Sequence, residues 1–77
     1  MPELTFGQKA VGLNFNPSGD PVVLKLKELY AEIIDICNDH RRGEAPGETN
    51  RLFSIAITEA QTAQMWAVKA ATWWRED

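Results

Sequence analysis

Marked only as apolar or polar, the chain resolves into two long helical repeats and a shorter one. From Arg51 to Arg75 it reads RLFSIAITEAQTAQMWAVKAATWWR, without Gly or Pro and rich in Ala, Gln and Met, which predicts one long helix. At ~100° per residue, Leu52, Ala56, Ala63, Ala67, Ala70 and Trp74 share a stripe. Ala60 and Ala71 widen it on one side, and Ile55, Trp66 and Trp73 on the other. Its alanine centre would let a partner helix approach to the ~8 Å end of the usual interaxial range. Ser54, Thr58, Lys69 and Thr72 fall opposite, and Gln61, Thr62 and Gln64 read as a solvated ridge.

The second repeat runs from Pro21 to Arg41. Val23, Leu26, Tyr30, Ile33 and Cys37 make a 3–4 spaced seam with Val22, Leu29 and Ile36 alongside, while Lys25, Lys27, Glu28, Glu32 and Asp35 fall on the wetter side. Asp20 is a suitable N-cap, Pro21 fits the first helical position, and Gly43 can end the helix. Upstream, Thr5 can cap a two-turn helix that Gly12 ends, anchored by Phe6, Val11 and Leu13.

One domain is expected over 1–77: a short helix at 5–12, a turn-rich loop at 12–20, and helices at 21–41 and 48–75, the last capped by Thr49 or Asn50. The polar connection GEAPGETN is short, so the long helices should be antiparallel neighbours. The fold class is all-α, a short N-terminal helix plus a two-helix hairpin. Both long helices carry apolar faces wider than one shared seam, and the surplus implies further copies of the chain.

Size points the same way. At 77 residues the chain is near the lower limit of independent folding. Cys37 is the only cysteine and His40 the only histidine, which rules out an intrachain disulfide and makes a zinc cluster improbable, leaving assembly as the support. The start MPELTFGQ has no signal-peptide pattern, and no apolar run approaches the ~20 residues that span a bilayer, so a soluble intracellular protein is expected. A net charge of −3 argues against a duplex DNA binder but leaves room for a small phosphorylated ligand.

Enzymatic signatures are missing: no phosphate loop followed by Lys-Ser/Thr, no Ser/His/Asp set and no ligand cluster. Neither cofactor nor metal is expected. His40 reads as a capping cation and Cys37 as a small hydrophobe in the seam. Glu59 falls near the middle of the alanine-rich face, where a structural contact across an interface outweighs a ligand role. Trp66, Trp73 and Trp74 read first as core or interface and second as stacking platforms. The loop GLNFNPSGDP is the better functional candidate. Its glycines allow close approach, Asn14, Asn16 and Ser18 supply donors and acceptors, and Phe15 offers a flat face to a base, with Lys9, Lys25 and Lys27 near in sequence. A loop simply packed down by its phenylalanine is an equal reading of the same residues.

TFGQKAVGLNFNPSGDP, followed by KELYAEIIDICNDHR and AITEAQTAQMWAVKA, resembles the phage anti-CBASS nucleotide sponges of the Acb/Tad hairpin type across nearly the whole chain. CBASS is a bacterial defence in which cyclic oligonucleotides trigger a killing effector, and a sponge sequesters that messenger without cleaving it. The resemblance implies a homohexamer of helical hairpins, working in the cytoplasm of the infected host and binding cyclic dinucleotides such as 3′,3′-cGAMP between subunits. It places Phe15 on a base and Lys27 at the phosphates, with Asn14, Asn16, Pro17 and Ser18 closing over the ligand and Lys25 as a weaker choice. Some members also bind cyclic trinucleotides through an arginine before the threonine of the last-helix motif. Here that position is Ile57, with Arg51 nearly two turns away, so a trinucleotide site is not expected.

Overall fold

The computed structural model describes residues 3–41 and 47–76, all helix, turn or loop with no strand among them. Three helices, α1 (Phe6–Val11), α2 (Pro21–Arg41) and α3 (Gly47–Ala71), are followed by a 3₁₀ helix over Trp73–Glu76. The expected terminator Gly43 and the first half of the 43–50 connection lie outside the described residues.

Local chemistry accounts for the helix ends. Thr5 and Gln8 form a capping box: the Gln8 amide donates to the Thr5 hydroxyl at 3.1 Å, and the Thr5 amide donates to Gln8 Oε1 at 2.9 Å. Gly12 closes α1 in the left-handed region at φ 64°, where a side chain would be strained. Asp20 caps α2, its Oδ1 accepting from the Val22 amide at 2.8 Å, and Pro21 takes the first helical position. α3 opens at Gly47, two residues before the expected caps, so Thr49 and Asn50 lie inside its first turn. Glu48 suits that end of the helix dipole and holds Arg51 in a two-pronged pair at 2.7 and 2.9 Å.

Side-chain contacts fix α2 and α3 as antiparallel. At the end of α2, Arg41 donates to Ser54 near the start of α3 (3.1 Å), and the His40 ring lies 5.5 Å from that of Phe53. At the other end, Val23 and Lys27 share a cavity with Val68 and Thr72. α1 lies along α2 and barely meets α3. The result is a flat body, 47 × 30 × 12 Å across its Cα atoms.

So thin a layer buries little. Val11, Ala31, Ile34 and Ile57 form the core cluster, with Ala10, Leu13, Tyr30, Cys37 and Ala60 packed against it. The row of α2 that the chain buries is Val23, Lys27, Ala31, Ile34 and Asn38. This corrects the expected seam, of which Ile33 is exposed and Leu26, Tyr30 and Cys37 are half-buried. The row is displaced because α2 lies between two neighbours and turns its most enclosed side toward both.

α3 is corrected in the same sense. Its buried positions are Ile57 and Gln64, flanked by half-buried Ala60, Gln61, Ala67, Val68 and Ala71. The expected alanine stripe instead leaves Leu52, Ala56, Ala63, Ala70 and Trp74 exposed, along with Glu59, and Gln64 does not belong to a solvated ridge. α3 also stops at Ala71 rather than 75. Phe6, expected as an apolar anchor, is exposed, with the Arg41 guanidinium 5.4 Å from its ring centroid. His40 donates from Nδ1 back to the Ile36 carbonyl at 2.8 Å.

Candidate functional site

The loop at 12–20 is held at several points along its length. It opens with the Phe15 amide donating to the Gly12 carbonyl at 2.9 Å and the Gly19 amide to the Asn16 carbonyl at 3.0 Å. Its side chains continue the pattern. Asn16 Nδ2 donates to the Asp20 carbonyl (3.2 Å), Ser18 Oγ donates to Asn16 Oδ1 (3.0 Å), and the Asp20 amide donates to Ser18 Oγ (3.2 Å). The polar groups of the loop thus meet one another and fix its path into α2.

Lys27 completes this frame from below. Only 5% of its area is exposed, which corrects its expected place on the wetter side of α2. Its ammonium donates to the Gly12 carbonyl at 3.0 Å and to the Phe15 carbonyl, and it lies 5.6 Å from the centroid of the Phe15 ring. Two of its three N–H donors are therefore committed to loop backbone, leaving one. Burial pushes its pKa below the ordinary lysine value, because removal from water disfavours the charged form.

Phe15 has the opposite environment. The residue is 73% exposed although both its amide and its carbonyl are bonded. Backbone constraint together with a free aromatic face is what a stacking platform requires, since little order remains to be imposed when a flat ligand arrives.

Phe15, Asn16, Pro17, Ser18 and Lys27 line one cavity of about 270 Å³ with Val23, Val68 and Thr72. Asn14 is exposed on the loop and does not line it. Lys25 borders a different cavity, with Gln8, Leu13, Glu28, Glu32 and Asp35. Val68 and Thr72 were not singled out in the sequence. The antiparallel hairpin carries the end of α3 back beside the start of α2, and hairpin register is the signal that would have found them. Thr72 donates its hydroxyl to the Val68 carbonyl at 2.9 Å, and its oxygen keeps acceptor capacity.

The arrangement offers stacking, one ammonium and hydrogen-bonding groups, the equipment of a binding site. Among the described residues no group of three or more His, Cys, Asp or Glu could hold a metal ion, and no helix is long and apolar enough to cross a membrane.

Comparison with known families matches residues 8–72 to the Acb2/Tad1 hairpin domain, a span that takes in the end of α1, the whole loop, α2 and α3. No curated protein and no solved structure matches the chain significantly. The chain belongs to the Acb2/Tad1 hairpin-domain family, the anti-CBASS sponges that bind cyclic oligonucleotide messengers.

Proposed function

We propose that this sponge binds cyclic dinucleotides, 3′,3′-cGAMP among them, and withholds them from the CBASS effector without cleaving them. The observation that carries the reading is the pairing of Phe15 with Lys27. An exposed aromatic ring stands on a braced backbone, with an ammonium directly beneath it. A module built only to contact other proteins would pack Phe15 inward and leave Lys27 in water. Phe15 stacks on a base and Lys27 directs its remaining N–H, and its charge, toward the phosphates. Asn16, Pro17 and Ser18 form the wall of the cavity, while Asn14 stands outside it and Lys25 borders another.

The apolar surfaces support assembly into the homohexamer implied by the family resemblance. Val22, Leu29, Ile33 and Ile36 on α2 and Leu52, Ile55, Met65 and Trp66 on α3 are all exposed in the single chain, more than a stable monomer ordinarily shows. A two-fold interface between copies would present Phe15 and Lys27 twice, matching the two bases and two phosphates of a pseudo-symmetric ligand. Ile57 is buried in the core cluster, so the position that some relatives use for trinucleotides is not available here. The site of action is the cytoplasm of the infected bacterium, where the messenger is made.

The exposure of Trp66, Trp73 and Trp74 favours a second reading, an oligomeric module that engages another protein through its tryptophans. Calorimetric titration with 3′,3′-cGAMP, followed by chromatography of the recovered ligand, separates the two. The sponge predicts saturable binding near one ligand per two chains, with intact ligand recovered. Stacking contributes ~1–3 kcal/mol per base, so Phe15→Ala at both copies should weaken binding by about thirtyfold or more. Absence of heat with any cyclic dinucleotide would favour the module, and linear product would make the protein a phosphodiesterase.

A further inference from the structure

The loop that carries Phe15 is tied at its far end to Asp20 and in the middle to Lys27, but it enters from α1, a helix of six residues. Two turns are marginal in isolation, so the position of α1 has to be set by something outside it. That support is a joint on α2. The Gly7 amide, an orphan donor of the first turn, donates to Asp35 Oδ1 at 2.6 Å across 28 residues of sequence. Thr5 caps the neighbouring Gln8 amide locally, so α1 is capped once by its own sequence and once by another helix.

The same residue sets how closely the two helices approach. Gly7 is buried, and a Cβ there would lie 2.2 Å from the Ala31 carbonyl oxygen and 2.9 Å from Asp35 Oδ1. Backbone oxygen cannot yield as a flexible side chain can, so any larger residue moves α1 away from α2. Five residues later the chain reaches Gly12, whose carbonyl accepts from Lys27 Nζ and whose geometry starts the loop.

We propose that Gly7 and Asp35 are positioning residues for ligand binding: the joint they make fixes where α1 ends, and so holds the Phe15 platform in its binding-competent place. Neither lines the Phe15 cavity, so their effect on the ligand is transmitted through α1. The consequence for affinity rests on the dinucleotide reading; the consequence for loop order does not. With the joint broken, the platform is in place only part of the time, and apparent affinity falls by that fraction.

The test uses the full chain in wild-type form and as Asp35→Ala, Asp35→Asn and Gly7→Ala. Amide hydrogen exchange is followed at Leu13, Phe15 and Gly19, with Ile57 and Ala60 in α3 as references, and 3′,3′-cGAMP affinity is measured in parallel. In Asp35→Ala and Gly7→Ala the three loop amides should exchange about tenfold faster or more while the α3 amides stay unchanged, and affinity should fall about tenfold. Asp35→Asn keeps an acceptor for the Gly7 amide and should remain within about threefold of wild type on both measures. A purely structural contact would instead lower overall stability, with loop exchange tracking α3 and affinity unmoved below the unfolding transition. Unchanged loop exchange in Asp35→Ala overturns the proposal, as does faster loop exchange with undiminished affinity. Should the wild-type protein bind no cyclic dinucleotide, the dinucleotide reading fails, and loop exchange alone then upholds or overturns the joint.

Discussion

Phe15 and Trp66 are exposed to nearly the same degree, 73% and 67%, yet they stand on very different ground. Around Phe15 the backbone is braced by Gly12, Lys27, Asn16, Ser18 and Asp20, each through a hydrogen bond to another part of the loop or its frame. Trp66 projects from the outer face of a plain helix beside Met65 and Lys69, over an almost wholly apolar hollow it shares with Ala70 and Trp73. The first region has its bracing complete within one chain and offers its aromatic on a prepared surface. The second is incomplete, and its aromatics have the character of a surface waiting for apolar contact. Exposure alone does not distinguish a ligand platform from an interface; the order of the backbone beneath it does.

The largest effect should come from Trp66→Glu. A carboxylate in the middle of the open α3 face would have to be buried unpaired if copies meet there, and aromatic anchors at interfaces commonly contribute 2 kcal/mol or more. Sedimentation should show the assembly reduced to smaller species at micromolar concentration. Persistence of the full assembly would mean that α3 is not where copies meet, and the contrast with Phe15 would collapse.

Gly12→Ala tests the prepared side. Its φ of 64° places an L-residue in the left-handed region, at ~1–2 kcal/mol per residue. Denaturant unfolding should report a loss of that order, and the Phe15 platform should move with it. Loss of stability without loss of ligand affinity would show that the bracing serves folding only.

The subtlest prediction concerns pH. Burial lowers the Lys27 pKa, so the folded chain releases that proton at a pH where the unfolded chain still holds it. In the window below the ordinary lysine value of 10.5 the folded state binds fewer protons, and this group's contribution to stability therefore rises with pH. Ligand affinity should move the opposite way over the same window, because the charge beneath Phe15 disappears. The divergence should vanish in Lys27→Met, measured as melting temperature and dissociation constant at matched pH.

The contrast also explains what the sequence disclosed. The ends of α1 and the start of α2 were legible because they are local: Thr5, Gly12, and Asp20 with Pro21 each act within a few residues, whereas the caps and the last turn of α3 were misplaced. Rotation about the helix axes was not. The widest apolar arcs of α2 and α3 are not the ones the chain buries within itself, so Ile33 and Leu52 are exposed while Lys27, Asn38 and Gln64 are enclosed. A hydrophobicity pattern cannot tell an arc meant for the same chain from one meant for another. Nor can it anticipate a lysine enclosed by carbonyls that only the folded loop assembles. Phe15 and Lys27 share one cavity, but the chemistry of the loop alone left its purpose balanced between packing and binding, and the family resemblance tipped it. Val68 and Thr72 required the register of the hairpin, a property of the turn rather than of either helix.

Lys27 recognises this loop entirely through main-chain oxygen, at Gly12 and at Phe15. Carbonyl groups are common to every amino acid, so the strut does not depend on which side chain residue 15 carries. A tyrosine, tryptophan or histidine could replace the phenylalanine and stand on the same scaffold. On the proposed reading, the part of the molecule that meets the messenger is therefore separable from the part that supports it. When a host changes the bases of its alarm signal, such a protein can follow by single substitutions at its outermost ring, without having to reinvent the fold underneath.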